Sequence, residues 1–386
     1  MTEKHKIQQA EIEFAQVRKD IDAVDAKLVG LIAERQKLTA KVGQLKATLK
    51  LPLYVPSREK ALIQQKRALG KSLSVSPDLV EDVLRRIMRD SYSNQNMTRA
   101  AAMQNKKLSQ SRNILVIGGK GQLGSLFVAL FKQAGYVVDV IEQDDWTKAD
   151  GLFAKASMVM VAVPIRVTEE VIKKLTALPE SCVLLDVTSV KQAPLSAMLE
   201  SHKGPVVGLH PMFGPDIGHL AKQTIVVCHG RKAEQYQWLL EQLTIWGAEL
   251  CEVDAKQHDH LMSIVQVLRH FSTVAYGYHL QQENIDLDKV LQLSSPIYRL
   301  ELIMVGRLFA QDSTLYSDII FSDPGNVAMV KRFLQRMMEL LEMLESQDKV
   351  AFSSLFDQVS EWFADYAEQF LQESNLMLAK ANDIKK

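Results

Sequence analysis

Four cations in the first sixty residues stand where a helical chain has little structural use for them: Arg18, Arg35, Lys46 and Arg58. Around them apolar residues recur in steps of four and three, at Val17, Ile21, Val24, Leu28, Leu31, Leu38, Val42 and Leu45, and the missing beat of that seam is Arg35. Arg18 and Lys46 are four heptads apart and flank the seam on one side. A guanidinium inside an apolar seam costs stability unless an anion meets it. A lone Arg or Lys beside the seam is explained as well by a stem that snorkels to water. Several cations converging between helices make a pocket for a compact dianion.

A second chemistry begins at Asn113. The apolar run Ile114-Leu115-Val116-Ile117 feeds Gly119-Lys120-Gly121-Gln122-Leu123-Gly124, and an amphipathic pattern follows at Leu126, Phe127, Leu130 and Phe131. In this strand–turn–helix context G-x-G-x-x-G allows a tight turn, close backbone approach to a pyrophosphate and close helix-on-strand packing. A further strand, Tyr136 to Ile141, ends at Glu142, where a carboxylate can take a ribose 2′-hydroxyl. No Arg or Lys follows before Lys148, so the cofactor expected is NAD rather than NADP. Its binding set is Gly119, Gly121, Gln122, Leu123, Gly124 and Glu142, with Pro164 at the end of the next strand.

Strand-sized runs then alternate with helical patterns: 157–163, 182–187, 205–209, 223–228 and 248–253. Alternation of this kind predicts a doubly wound sheet with ligands beyond the carboxyl ends of its strands, where Ser189 and His210 fall. His210 alone is equally a hydrogen-bonded turn residue; beside a cofactor loop it gains ground as an acid/base group. Helices are expected over 258–282, 296–311, 324–346 and 349–380, with Arg299, Arg307 and His270 in apolar company. A buried ion pair, for which Glu301 could serve, is the plain alternative for each Arg. The dense apolar positions of these helices suggest a shared subunit interface, and their Met-rich stripe reads as core in preference to a binding surface. The run His258-Asp259-His260 lacks a third ligand at recognisable spacing, so no metal is expected.

Bulk properties bound these readings. A chain of 386 residues divides into ~2–3 domains. With 46 basic and 46 acidic residues it has no bulk attraction to nucleic acid or membrane, so any work done by cations is local. The cysteines, Cys182, Cys228 and Cys251, are few and lack metal spacing, which suits reduced thiols in the cytoplasm. The first residues lack the apolar core of a signal peptide, and no run approaches ~20 apolar residues. The seam predicts one helix of roughly 35–40 residues, too long to be wrapped by its own ~90-residue domain and therefore paired with another subunit. Helices near 57–69 and 77–92 follow, then a polar stretch from Asn94 to Arg112 expected as a solvated linker.

The N-terminal pattern resembles the all-helical chorismate mutases, which are intertwined dimers. The resemblance rests on Val17-Arg18-Lys19-Asp20-Ile21-Asp22, Arg35, Val42-Gly43-Gln44-Leu45-Lys46, Arg58-Glu59 and Asp90-Ser91-Tyr92-Ser93-Asn94-Gln95. It implies that Arg18 (from the partner subunit), Arg35 and Arg58 hold carboxylates, that Lys46 and Gln95 face the ether oxygen of chorismate, and that Ser91 lies in the site. Mutases fused to prephenate dehydratase carry an Asp where this chain has Val55, so a substrate hydroxyl contact is either absent or supplied by Glu59.

Gly208-Leu209-His210-Pro211-Met212-Phe213-Gly214-Pro215 resembles the prephenate dehydrogenases, as do Leu268-Arg269-His270-Phe271 and Ser295-Pro296-Ile297-Tyr298-Arg299-Leu300 onward to Arg307. That likeness implies that His210 takes the proton of the ring hydroxyl with Ser189 nearby, that Arg307 binds a substrate carboxylate, and that His270 and Arg299 support it. Over the whole chain the resemblance is to the bifunctional chorismate mutase/prephenate dehydrogenases of bacterial tyrosine synthesis. It implies a multidomain homodimer: an all-α mutase domain (1–95), a linker (96–112), an α/β Rossmann-like NAD-binding domain (113–255) and an all-α substrate and dimerisation domain (256–386). Its substrates would be chorismate and prephenate, with tyrosine as feedback inhibitor. Two rivals stand beside this reading: an arogenate-preferring dehydrogenase, and a regulatory protein that binds aromatics without chemistry.

Overall fold

The apolar seam runs along a single helix, α1 (Glu3–Leu49), of 47 residues, or about 70 Å at 1.5 Å per residue. It exceeds the expected length because no proline interrupts it and its flanks are rich in Ala, Gln, Glu and Lys, good helix formers. The computed structural model describes residues 3–104, 112–214 and 216–383. Helix α2 (Pro56–Ser72) opens on a proline in its first turn, where the missing N–H is no loss. Helix α3 (Pro77–Gln104) runs well past Tyr92. The stretch expected as a linker from Asn94 is therefore helical as far as Gln104, because Thr98-Arg99-Ala100-Ala101-Ala102 contains no breaker and three alanines. Residues 105–111 of that stretch, with Lys106 and Lys107, lie outside the described residues, as does Pro215. Helix α3 packs along α1 and α2. Among the described residues the N-terminal part of the seam finds little cover: Val17, Ile21, Val24, Leu28 and Leu31 are 49–62% exposed.

Seven strands form one sheet: β1 (Asn113–Ile117), β2 (Val137–Ile141), β3 (Met158–Val161), β4 (Val183–Asp186), β5 (Val206–Pro211), β6 (Thr224–Arg231) and β7 (Glu249–Glu252). Their order is β2-β1-β3-β4-β5-β6-β7. Strands β1, β3, β4 and β5 are buried almost throughout, as continuous apolar strands covered on both faces must be. The edges β2 and β7 keep exposed positions. All pairings are parallel except β5 with β6. The sheet is thus mixed rather than purely doubly wound. The connection from Pro211 to Thr224 contains no helix, and a parallel return needs a crossover of a dozen or more residues, usually helical. The core centres on Phe127 and Phe131 of helix α4 (Gln122–Gln133), with Phe131 edge-on to Tyr136 (5.5 Å) and Trp246 (5.0 Å).

The chain gathers into two compact units. One is Met1–Val163 with Glu170–Thr188 and Pro194–Val253, so the N-terminal helices and the sheet belong together; the other is Pro164–Glu169, Ser189–Ala193 and Asp254–Lys386. In the second unit the segment expected as one helix over 258–282 is Ala255–Met262, a π-helical turn at Ser263–Leu268, and Arg269–Gln282. The helix expected over 349–380 breaks at Ala364, which takes φ +45° and has neither glycine nor proline to announce it. Among the described residues no helix is long and apolar enough to cross a membrane.

Candidate active sites

Five of the expected mutase residues, Arg35, Lys46, Glu59, Ser91 and Gln95, lie on helices α1, α2 and α3, and α3 packs along the other two. Arg35, half-buried, donates from Nη1 to Ser91 Oγ (2.7 Å), which in turn donates to Ile87 O (2.8 Å). Gln95, one turn beyond Ser91 on the same face, is buried. Lys46 Nζ donates to Leu53 O at 2.8 Å. Glu59 is buried at the start of α2, where its carboxylate accepts from Arg85 Nη1 (3.1 Å), Tyr92 Oη (2.7 Å) and Lys222 Nζ. Burial pushes this carboxyl up, but the bonds from Lys222 and Tyr92 and the charges of Lys222 and Arg85 outweigh it and hold it below the usual range. Arg58 is exposed on the first turn of α2. Arg18 is not brought in: it lies over the Phe14 ring (4.3 Å) and, 17 residues before Arg35 on α1, sits about 25 Å from it along the axis. Val55, at the head of α2, makes no side-chain cap.

The glycine loop joins β1 to α4. Gly118 turns the chain at φ +79°, and its N–H donates to Ile141 O of β2 at 2.8 Å. A Cβ on Gly124 would lie 2.3 Å from Gly118 O, so only glycine lets the helix sit this close to the turn. Gly121 caps α4 with extended backbone and no side-chain acceptor, which leaves the first amides and the positive helix end for an anion. Gln122 is exposed there, and Leu123 anchors the turn against the core. Glu142, just past β2, accepts the Lys120 N–H at 2.7 Å, which fixes a carboxylate beside the loop. The strand order reverses between β2-β1 and β3, the switch point where such sheets bind nucleotides. A dinucleotide fits this arrangement. On β5, in the same unit, His210 is the penultimate residue, 3% exposed and opposite Val226 of β6.

The second unit holds the remaining expected residues. Arg307 is exposed and Arg299 half-buried, and neither forms an ion pair among the described residues, Glu301 included. His270 is buried edge-on against Tyr316 (4.7 Å); burial and the neighbouring Arg269 lower its pKa to about 4, so the ring is neutral at pH 7. Pro164 is exposed and Ser189 half-buried, each on a loop leaving a strand. Asp259 secures the loop after Ser189: its carboxylate accepts the Lys191 N–H (2.8 Å) and the Gln192 N–H (2.9 Å). His258 Nδ1 lies 2.7 Å from Asp259 Oδ1, so the acid of the His258-Asp259-His260 run serves as a loop clamp.

Three family models cover most of this framework: chorismate mutase type II over residues 17–96, the nucleotide-binding domain of prephenate dehydrogenase over 138–240, and the prephenate dehydrogenase dimerization domain over 254–358. A helical chorismate mutase is therefore joined to a prephenate dehydrogenase in one polypeptide. The dehydrogenase match begins after the glycine loop, whose assignment rests on its own geometry. The chain is 50% identical to the T-protein of Enterobacter agglomerans over 96% of its length and 98% of that relative. It is 46% identical to the T-protein of Haemophilus influenzae over 96% of its length and 97% of that relative. It belongs to the T-protein family, the bifunctional chorismate mutase/prephenate dehydrogenases. A prephenate dehydrogenase structure from A. aeolicus, in complex with hydroxyphenyl propionate and NAD+, shares the fold at TM-score 0.51 and 18% identity, over 66% of this chain and 98% of that one.

Three residues were not singled out by their sequence. Gly118 was signalled only by its place beside Gly119. Asp259 was visible as a charge, though not as a clamp. Lys222 had no local signal, because its partner lies 163 residues away.

Asp259 yields a pH-dependent prediction. Burial pushes its carboxyl up, but the His258 bond and the two backbone N–H bonds bring the net value below its ordinary one. With the folded value below the unfolded ~3.9, its stabilisation is present at neutral pH and is lost as pH falls through ~4 and lower. Asp259→Asn should destabilise the chain by about 1–3 kcal/mol at pH 7 and flatten the acid side of Tm against pH. An unchanged Tm profile in thermal melts would count against the clamp.

Proposed function

We propose that this enzyme converts chorismate to prephenate with Arg35, Lys46, Glu59, Ser91 and Gln95 of one subunit, Arg58 at the head of α2, and Arg18 of a second copy. It then oxidises prephenate with NAD to 4-hydroxyphenylpyruvate and CO₂. The first step is a Claisen rearrangement that needs no acid, base or nucleophile. The site has to hold a diaxial dicarboxylate conformer and stabilise the negative charge growing on the ether oxygen. Arginines serve the carboxylates as bidentate partners. Lys46 and Gln95 face the ether oxygen, and the ionised Glu59 accepts from the substrate hydroxyl that Val55 cannot meet. The observation that supports this reading is the contact of α3 with both other helices at adjacent residues, Ser91 receiving Arg35 of α1 and Tyr92 donating to Glu59 of α2.

For the second step bound NAD⁺ supplies the hydride acceptor. Gly119, Gly121, Gln122, Leu123, Gly124, Glu142 and Pro164 hold it. His210 draws the proton from the ring hydroxyl as hydride leaves the same carbon, and Ser189 stays near that hydroxyl. Loss of the ring carboxylate as CO₂ makes the product aromatic. Arg307 binds a substrate carboxylate with His270 and Arg299 in support; a neutral His270 adds no positive charge of its own. The exposed seam of α1 and the dimerization domain both favour a homodimer. Three free cysteines, one of them exposed, suit the reducing cytoplasm. Tyrosine as feedback inhibitor is proposed from the family alone.

The test is an initial-rate assay with chorismate and NAD⁺, following NADH. The wild type should show NADH after a lag in which prephenate accumulates. Lys46→Gln should abolish NADH formation from chorismate and spare it from prephenate. His210→Asn should leave NAD binding near normal and slow oxidation of prephenate by ~10²–10⁴. NADH from arogenate but not from prephenate would overturn the substrate assignment, and silence with both chorismate and prephenate would leave an aromatic-binding regulator.

A further inference from the structure

The mutase site is not made by the mutase helices alone. Between α1 and α2 the chain passes through Leu51 to Val55, and this connection is held by the sheet portion of the same unit. Leu53 is 1% exposed, and its N–H donates to Ile245 O at 3.0 Å. The carbonyl of that same residue receives Lys46 Nζ. Just before β6, Lys222 extends its ammonium over the Tyr54 ring, 5.1 Å from the centroid, to the Glu59 carboxylate. Tyr92, which bonds the other oxygen of Glu59, stacks edge-on with Tyr54 (5.9 Å) and with His219 (6.1 Å).

The backbone at Lys222 is unusual for a lysine. It takes φ +64°, a left-handed conformation that favours glycine or asparagine. Its N–H donates to Gly247 O at 3.1 Å, and the preceding Leu220 and Ala221 are buried, so the loop is anchored and the side chain is aimed. Lys46 is thus linked to the dehydrogenase part of the chain through one residue, Leu53, and Glu59 is linked to it directly by Lys222.

We propose that Lys222, a residue of the dehydrogenase domain, is a positioning residue for the mutase reaction: it fixes the Glu59 carboxylate, ionised and correctly aimed, for the hydroxyl of chorismate. The inference deepens the functional reading above and rests on it. Arg85 also reaches Glu59, and its side chain is about as exposed as that of Lys222, but it divides its donors between Glu59 and Glu81. Lys222 is the partner that only the full-length chain supplies.

The test uses the full chain with Lys222→Met, Lys222→Gln and Lys222→Arg, reading chorismate consumption across pH and prephenate oxidation as a control. Without the ammonium, Glu59 takes up a proton at higher pH, so the acid limb of mutase kcat/KM should move up by about one unit. Mutase kcat/KM near neutrality should fall roughly threefold to thirtyfold. Prephenate oxidation should stay within about twofold, and Lys222→Arg should restore much of the loss. In a double-mutant cycle with Glu59→Gln, removing Lys222 should cost little more once Glu59 is neutral. If the Met variant fails to fold, the Gln variant, which keeps a donor without the charge, carries the same pH readout. Unchanged mutase kinetics in a mutase-active background would overturn the role of Lys222 and leave the functional reading standing. Parallel loss of both activities without a shifted acid limb would also overturn it, reducing Lys222 to a structural latch. A wild-type chain without mutase activity would remove the functional reading itself.

Discussion

A carboxylate with 6% of its side-chain surface exposed stays charged only if its surroundings replace the water it has lost. Glu59 is in that position, and much of the first unit is arranged around it. Arg85 and Tyr92 approach from α3, and Lys222 from the loop before β6. Each bond fixes an element as well as a charge. Tyr92 sets α3 against α2, and Lys222 sets the helical domain against the sheet. Removing one donor would not simply subtract one bond, because the remaining partners would then face a carboxyl more willing to be neutral. Low exposure and charge together make this contact specific in a way that the apolar packing around it is not.

The dehydrogenase chemistry depends on a different constraint, the close approach of backbone to backbone. The turn after β1 works because Gly118 can take a positive φ and Gly124 leaves room for Gly118 O. The first amides of α4 are thereby presented without a side-chain cap. The buried parallel strands β1, β3, β4 and β5 provide a rigid base, so loops leaving their carboxyl ends can carry polar residues while the sheet supplies the stability. Two of those loops, beginning at Pro164 and at Ser189, belong to the helical unit rather than to the sheet. Asp259 bonds the second of them, and Arg166 pairs with Asp318 at 2.9 Å in the first.

What the sequence disclosed follows from the range of the interactions. Strand runs, the glycine loop with Glu142, and the seam with Arg35 in it are local patterns, and each appears where its residues placed it. The end of α3 runs against its polar composition, which suggests a loop, because alanine propensity over 98–102 favours helix. The π turn at 263–268 and the break at Ala364 have neither glycine nor proline to signal them. The antiparallel β6 follows from the absence of a crossover helix among the described residues between β5 and β6. The Lys222–Glu59 pair could not be read at all, since nothing within 163 residues of sequence links a loop lysine to a helix carboxylate.

The exposed part of the α1 seam bears on why Arg18 differs from the other cations. Five apolar side chains about half exposed in a row are a standing cost in water, and burying them against a second helix recovers roughly 25 cal/mol per Å². The same burial would strip water from Arg18, which flanks the seam and is about 25 Å along α1 from Arg35. On the reading proposed above, in which a second copy supplies Arg18, the helix that covers the seam would also bring that Arg18 toward Arg35. Covering the apolar residues and completing the anion site are then a single event. On that reading, stability of the dimer and affinity for a dianionic substrate would be coupled through the same helix, because substrate in the pocket would neutralise the cation that dimerisation buries.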